Sequence, residues 1–440
     1  MKTKKLAALA ATLCLGLSLA ACGGPAATTA PPPPPASGPA AIEGNELTVW
    51  CWDPAFNLYA MNEAAKVYQK THPDFKLNVV ETPWDDIQTK LTTIGQSKQY
   101  DQLPDIVLVQ NNAFQKNAMS YPELFTDLTA SGVDYTQYPA GIVAYSQVDG
   151  KNFGLPFDNG AAINAIRTDI IAEAGYTLAD FTDITWSDFL TKAKAVLAKT
   201  GKPMLSGTVG SSDLIMILMQ SAGASLFDDS GNPSIVGNDA LLKSIDVYKQ
   251  LVEAKVLVEV TNWDEYIATF VNGNVAGTIN GAWIIGSITT AKDQSGKWDI
   301  TNLPSIDGVA GATNYSANGG SSWAVTAGAN VPLAQDFLKA TFAGSTELYD
   351  TILPSSGAIA NWIPAGKSPV YAQPQEFFGG DAIYAKIIDY AAKVPENNTG
   401  IYYYEARDAV SAAITKILQG TDPAAALKEA QDTVDFAMQG

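Results

Sequence analysis

Two clusters of side chains sit where chemistry could be done. The run Glu46 to Trp52 is rich in β-branched and aromatic residues and is followed by Asp53; Pro104 to Val109 is followed by Gln110, Asn111 and Asn112. Both runs read as strands. An aromatic ring stacks on apolar C–H faces, and carboxylate and amide groups exchange hydrogen bonds with neutral polar ligands. These are not the side chains of a phosphate cradle, and the sequence holds neither GxGxxG nor GxxxxGK[ST].

Other chemistries are excluded by count. His72, in the polar turn Lys70 to Asp74, is the one histidine of the 440 residues, so neither a Ser-His-Asp triad nor a typical zinc site can be built. The segment Asp228-Asp229-Ser230-Gly231-Asn232 lacks the spaced ligands and closing Glu of a calcium loop and reads as a turn. No metal and no cofactor is expected. Arg167 and Arg407 are the only arginines, which disfavours an anionic ligand. The net charge of −18 argues against nucleic acid and anionic lipid surfaces as partners.

The elements that must position these residues alternate. Strand 46–52, a helix from Phe56 to Thr71, strand 76–80, a helix over about 85–96 and strand 104–109 imply right-handed crossovers and a parallel sheet, hence an α/β class. Longer helices are expected over 186–199, 238–254, 334–341 and 405–419, and Asp422-Pro423 opens a last one. In open parallel sheets a ligand binds past the C-terminal ends of the strands. Asp53 and the Gln110–Asn112 run lie there.

The N-terminus reads as an address. Lys2, Lys4 and Lys5 precede an apolar run that ends in Leu19-Ala20-Ala21-Cys22-Gly23. This resembles the lipobox of bacterial lipoproteins, which implies cleavage after residue 21 and a diacylglyceryl group on Cys22. Removing three lysines and no acids leaves a charge of −21. Residues 22–45 include five consecutive prolines, Pro31 to Pro35, and read as a polyproline-type stalk. Of three cysteines only Cys51 would then remain as a free thiol, best read as a small buried hydrophobe, and no intramolecular disulfide is possible.

Five segments, in order, resemble the carbohydrate-binding family 1 of extracellular solute-binding proteins of ABC importers. They are Leu47 to Trp52, Leu103-Pro104-Asp105-Ile106-Val107, Gly154-Leu155-Pro156-Phe157-Asp158, Phe270 to Trp283 with its Gly281-x-Trp283 ending, and Gly319-Gly320-Ser321. The resemblance implies a two-lobed periplasmic-binding-protein-like α/β fold with a hinge and an interlobe ligand cleft. Lobe one is expected over 46–156 plus 275–318, and lobe two over 157–274 plus 319–440. It further implies a non-enzymatic monomer, lipid-anchored on the extracellular face of the cell membrane, that captures a sugar, in the first place an oligosaccharide, and hands it to permease subunits.

Sugar capture combines rings against the pyranose face with polar groups around its hydroxyl belt. By family position Asp53 and Asp158 would accept hydroxyl hydrogens and Trp283 would be a stacking floor. Gln110, Asn111 and Asn112 would line lobe one, and Gly320 and Ser321 the return crossover. Trp52, Trp263, Trp323, Trp362 and Tyr403 are further aromatic candidates; Tyr402-Tyr403-Tyr404 reads equally as a strand edge with one ring toward the cleft. A tryptophan in an α/β protein is more often core than ligand platform, so no site role is given to Trp50, Trp186 and Trp298. Two other functions stay open: the same fold binding a polyamine or peptide, and a secreted glycosidase using Asp53 and Asp158 as its carboxylate pair.

Overall fold

Apolar residues with no polar face, such as Ile106 to Val109, demand a strand covered on both sides. The computed structural model describes residues 44–210, 212–396 and 399–439. The expected signal segment 1–21, Cys22 and the stalk as far as residue 43 lie outside these. The described strands are β1 Glu46–Cys51, β2 Lys76–Glu81, β3 Ile106–Gln110, β4 Gln147–Val148, β5 Lys151–Asn152, β6 Gly154–Asp158, β7 Ala162–Arg167, β8 Leu205–Thr208, β9 Leu257–Val260, β10 Gly277–Gly281, β11 Trp298–Thr301 and β12 Ser321–Val325.

The larger sheet runs β2-β1-β3-β12-β6. Its β1–β2 and β1–β3 pairs are parallel, as the strand–helix–strand order requires, with helices Asn57–Gln69 and Trp84–Ser97 as the crossovers. β12 runs antiparallel between β3 and β6, so the sheet is mixed rather than wholly parallel. Ile106 and Leu108 enter one core with Val49 and Phe157, while Val107 and Val109 enter another with Leu91 and Phe114. Period-2 alternation thus feeds two cores from one strand. Asp105 fixes the start of β3: its carboxylate accepts from Thr48 N at 2.8 Å and from Asn330 N, ahead of helix Val331–Ala340, at 2.7 Å.

The second sheet, β10-β7-β11, is antiparallel. β7 alternates in the same way, with Ala162 and Ile166 toward one core and Ile163 and Ala165 toward another. Helices Trp186–Thr200, Asp239–Glu253, Tyr403–Leu418 and Pro423–Ala437 pack on the first of these, and Trp263–Val271 and Ile383–Ala391 on the second. Both sheets are therefore covered on both faces, an α/β architecture of two bodies.

The strand ladders overturn the expected grouping of segments. β10 and β11, placed by sequence with 46–156, pair with β7; β12, placed with the second lobe, pairs with β3 and β6. The physical reason lies in the glycines. Gly319 and Gly320 hold φ of +77° and +91°, a left-handed reversal just before β12 that turns the chain back into the first sheet. Tyr402-Tyr403-Tyr404 is likewise no strand edge but the start of helix Tyr403–Leu418. Among the described residues no helix is long and apolar enough to cross a membrane.

Candidate functional site

Three passes of chain connect the two bodies. In the first, Asp158 ends β6 and Ala162 begins β7. The second is 316–321, where Asn318 N donates to Gly160 O at 2.7 Å and Ala162 N to Ser316 O at 2.8 Å. The third is 359–361, where Asn159 N donates to Ile359 O at 3.1 Å and Asn361 Nδ2 to Asp158 O at 2.6 Å. At their meeting point the Ser321 hydroxyl donates to the Asp158 carboxylate, and the ladder between β6 and β12 slips by a bulge there. Asp158 is 3% exposed, and burial pushes its carboxyl up to about 6 against the pull of the Ser321 hydrogen bonds.

A cavity of about 40 Å³ lies between the bodies. Its walls come from both: Asn112 and Tyr145 on one side, Met216, Met219 and Tyr403 on the other, and Asn318 and Gly319 of the second crossing pass between them. A second cavity of about 40 Å³ is lined by Ser206, Asp213, Tyr248, Trp263, Tyr266 and Asn280. The two meet at a polar link, in which Asn318 Nδ2 donates to Asn280 Oδ1 at 2.8 Å. Each has room for only a few water molecules as it stands, with rings for walls and a few amides.

Trp283 stands at this junction. It packs against a core of each sheet, and its Nε1 donates to Asn318 O at 3.0 Å. Its ring lies 5.7 Å from that of Trp263, which is 38% exposed at the start of helix Trp263–Val271. Asn262 caps that helix through Glu265 N and so fixes the exit direction of Trp263. Among the expected residues, Asn112, Tyr403, Trp263 and Trp283 are brought together here.

The others stand behind the walls. Asn111 is buried and accepts from the Ser322 hydroxyl at 3.0 Å. Gly320 lies over it: a Cβ there would come 2.9 Å from Asn111 Nδ2. Asp53, 9% exposed, holds the turn after β1 by accepting from Ala55 N at 2.9 Å and Phe56 N at 3.0 Å; burial raises its carboxyl pKa. Gln110 accepts from the Tyr404 hydroxyl. Trp52 is half-buried against Trp84 at 5.3 Å, and Trp362 half-buried against Tyr349 at 6.4 Å. Trp323 cannot be a ligand platform as expected. It is 0% exposed and packed between Phe157 and Phe342, because the alternation along β12 turns it into the core under the sheet. Trp186 and Trp298 are core residues, as read, and Cys51 is buried with its thiol pKa driven up by burial.

Sequence reasoning missed Tyr145, Met216, Met219, Asp213, Tyr266, Asn280 and Asn318. Only the last two carried a signal, since both flank motifs already singled out, Gly281-x-Trp283 and Gly319-Gly320. Asp213 lies 3.7 Å from Arg407, whose guanidinium covers the Tyr404 ring at 4.6 Å. Burial works against the charge of Arg407, but Asp213 and its neighbours more than offset it. Among the described residues no cluster of side chains suits a metal ion.

Known proteins resemble this chain in sequence and in fold. The family model described as bacterial extracellular solute-binding protein matches residues 63–359. A lactose-binding protein of Rhizobium radiobacter is 36% identical over 394 residues, covering 89% of this chain and 93% of that protein. An arabinooligosaccharide-binding protein of Halalkalibacterium halodurans is 26% identical over 420 residues, covering 90% and 91%. Among solved structures, an ABC transporter associated binding protein from B. animalis subsp. lactis in complex with beta-1,6-galactobiose superposes with a TM-score of 0.77 at 20% identity, over 90% of this chain and 98% of that one. The GacH receptor of Streptomyces glaucescens does so with a TM-score of 0.76 at 17% identity, over 89% and 98%.

Proposed function

This chain belongs to the bacterial extracellular solute-binding protein family, and we propose that it captures a sugar between its two bodies and delivers it to the permease of an ABC importer. The observation that carries the reading is the interbody cleft, walled by rings and amides and floored by the crossing passes. Trp263, Trp283 and Tyr403 supply faces for pyranose C–H groups; Asn112, Asn280 and Asn318 supply donors and acceptors for hydroxyls. The two neighbouring cavities, joined at the Asn280–Asn318 link, would widen into one cleft for more than one ring as the bodies part, in line with the oligosaccharide named for one relative and the disaccharide named for another. Asp158 and Ser321 belong to the hinge under the site, and closure is a rotation about the three passes.

The chain acts by capture rather than cleavage. Asp53 holds the turn after β1 and Asp158 the hinge, roles that support capture over acid and nucleophile chemistry at a glycosidic bond. The working unit is read as a monomer, anchored on the outer face of the membrane by lipid on Cys22. Labelling with radioactive palmitate should mark the wild-type chain and not Cys22→Ala; equal labelling would refute the anchor.

Calorimetric or thermal-shift titration of the domain from residue 44 onward tests the function, with lactose, arabinooligosaccharides and mannitol as probes and a polyamine and a peptide as controls. A ligand at a hundredfold over its Kd stabilises the folded state by about 2.7 kcal/mol. A shift with a sugar recovered intact supports capture. A shift with the polyamine or peptide alone would overturn the sugar, and a cleaved glycan would overturn the binding-only reading.

A further inference from the structure

One helix belongs to both bodies. In Tyr403–Leu418, the side chains of Ala406, Val410, Ala413 and Ile414 lie in the core of the second sheet. Tyr404, one residue into the same helix, is buried in a core of the first sheet with Leu91 and Phe114, its ring 5.9 Å from that of Trp84.

Polar contacts follow this crossing. The Tyr404 hydroxyl donates to Gln110 Oε1 at the end of β3, and Lys116, on helix Asn111–Ser120, forms an ion pair with Glu405. Both partners of that pair are partly withdrawn from water, with side-chain exposures of 35% and 27%, and the Lys116 ammonium also lies 5.1 Å from the Tyr402 ring. Partial burial lowers the Lys116 pKa, a sign that its charge is held there at a desolvation cost. Gln110 stands opposite Ser321 in the β3–β12 ladder, so these contacts begin beside the second crossing pass and run outward along helix Asn111–Ser120; Tyr145 and Tyr403 line the cavity next to them.

We propose that the first turn of this helix is a clasp: Tyr404 on Gln110 and Glu405 on Lys116 hold the two bodies closed without help from ligand, and their release sets how fast ligand leaves. Opening about the crossing passes must either draw Tyr404 from its core or bend the helix at its first turn. Both break the hydroxyl bond and the ion pair. The clasp acts through the position of Tyr403 and the closure of the cleft, not by contact with ligand. Its role in ligand release rests on the sugar-binding reading above; its role in closure does not.

The test uses Lys116→Glu, Glu405→Lys and the double swap in the chain from residue 44 onward, with Tyr404→Phe as a variant that keeps the ring. Small-angle scattering reads closure without ligand, and stopped-flow fluorescence with lactose reads release. Each single charge variant and Tyr404→Phe should enlarge the ligand-free radius of gyration, and raise the dissociation rate by about tenfold, the equivalent of ~1.4 kcal/mol. The double swap should restore both, because only the pair is inverted. Unchanged scattering in all folded variants would overturn the clasp, whether or not lactose binds. Scattering that opens without a faster dissociation would overturn its control of release, and a double swap worse than either single variant would overturn the ion pair as its element. If lactose does not bind the wild type, scattering alone decides the clasp.

Discussion

The indole Nε1 of Trp283 donates to the main-chain carbonyl of Asn318 at 3.0 Å, directly over Gly281, where a Cβ would stand 2.2 Å from that same nitrogen. The spacing Gly281-x-Trp283 is thereby explained as a steric demand: only a residue without a side chain lets the ring lie against its own strand end and reach the second crossing pass. Trp283→Ala should weaken sugar binding by about 2 kcal/mol or more, as loss of a central aromatic anchor does. Gly281→Ala should act in the same direction by displacing the ring. Isothermal calorimetry on folded variants checks both, and unchanged affinity in Trp283→Ala would remove that ring from the site.

Asp158 gives the hinge a pH dependence. Its carboxyl is pushed up to about 6 by burial, whereas in the unfolded chain it titrates near 3.9. Between these values the folded state holds a proton that the unfolded state has lost, so this group makes stability fall as pH rises from about 4 to 6. Above that window the cost is constant, on the order of 3 kcal/mol. Asp158→Asn keeps an acceptor for the Ser321 hydroxyl and removes the charge. It should raise stability at pH 7 and much less at pH 4.5. Urea melts at the two pH values decide, and a difference between variant and wild type that does not change with pH would rule the assignment out.

Trp323 tests the correction made by the structure. It is fully buried between Phe157 and Phe342, away from both cavities. Trp323→Ala should cost about 3–5 kcal/mol of stability, the range for truncating a large core aromatic. Affinity for sugar, measured well below the lowered melting temperature, should stay within about twofold, a change of ~0.4 kcal/mol. A variant of wild-type stability with lost binding would return Trp323 to the site.

What was legible in the sequence divides along the range of the forces involved. Strands β1, β2 and β3 and the helices from 57, 84, 186, 239, 403 and 423 emerge within a few residues of their expected ends, because period, caps and prolines are local. Which sheet a strand joins is not local. β10, β11 and β12 went to the wrong partners, since nothing within each run of small apolar residues tells one sheet from the other. The reversal at Gly319-Gly320 was visible as a motif but not as a direction. The rings divide similarly. Trp263 lies between Asn262 and Asp264 and Trp323 between Ser322 and Ala324, neighbours too weak a signal to set their depth; one starts a helix facing a cavity, and the other sits on the inward face of a strand. Met216 and Met219 carry no signal at all, being apolar residues on a helix that reads as core until the facing body is placed opposite.

Trp263 separates the two cavities in function. It lines the second and not the first, and touches Trp283 at 5.7 Å where the two meet. A single sugar ring held against Asn112, Tyr403 and Asn318 would not need Trp263; a second ring extending past the Asn280–Asn318 link would stack on it. Trp263→Ala should therefore weaken lactose by about tenfold or more, ~1.4 kcal/mol, while leaving galactose and glucose within about threefold of wild type, ~0.65 kcal/mol. Parallel titrations of the two monosaccharides and the disaccharide read the difference directly. Equal weakening of all three would place Trp263 in a single one-ring site, and no weakening of any would leave it as a surface ring that supports Trp283.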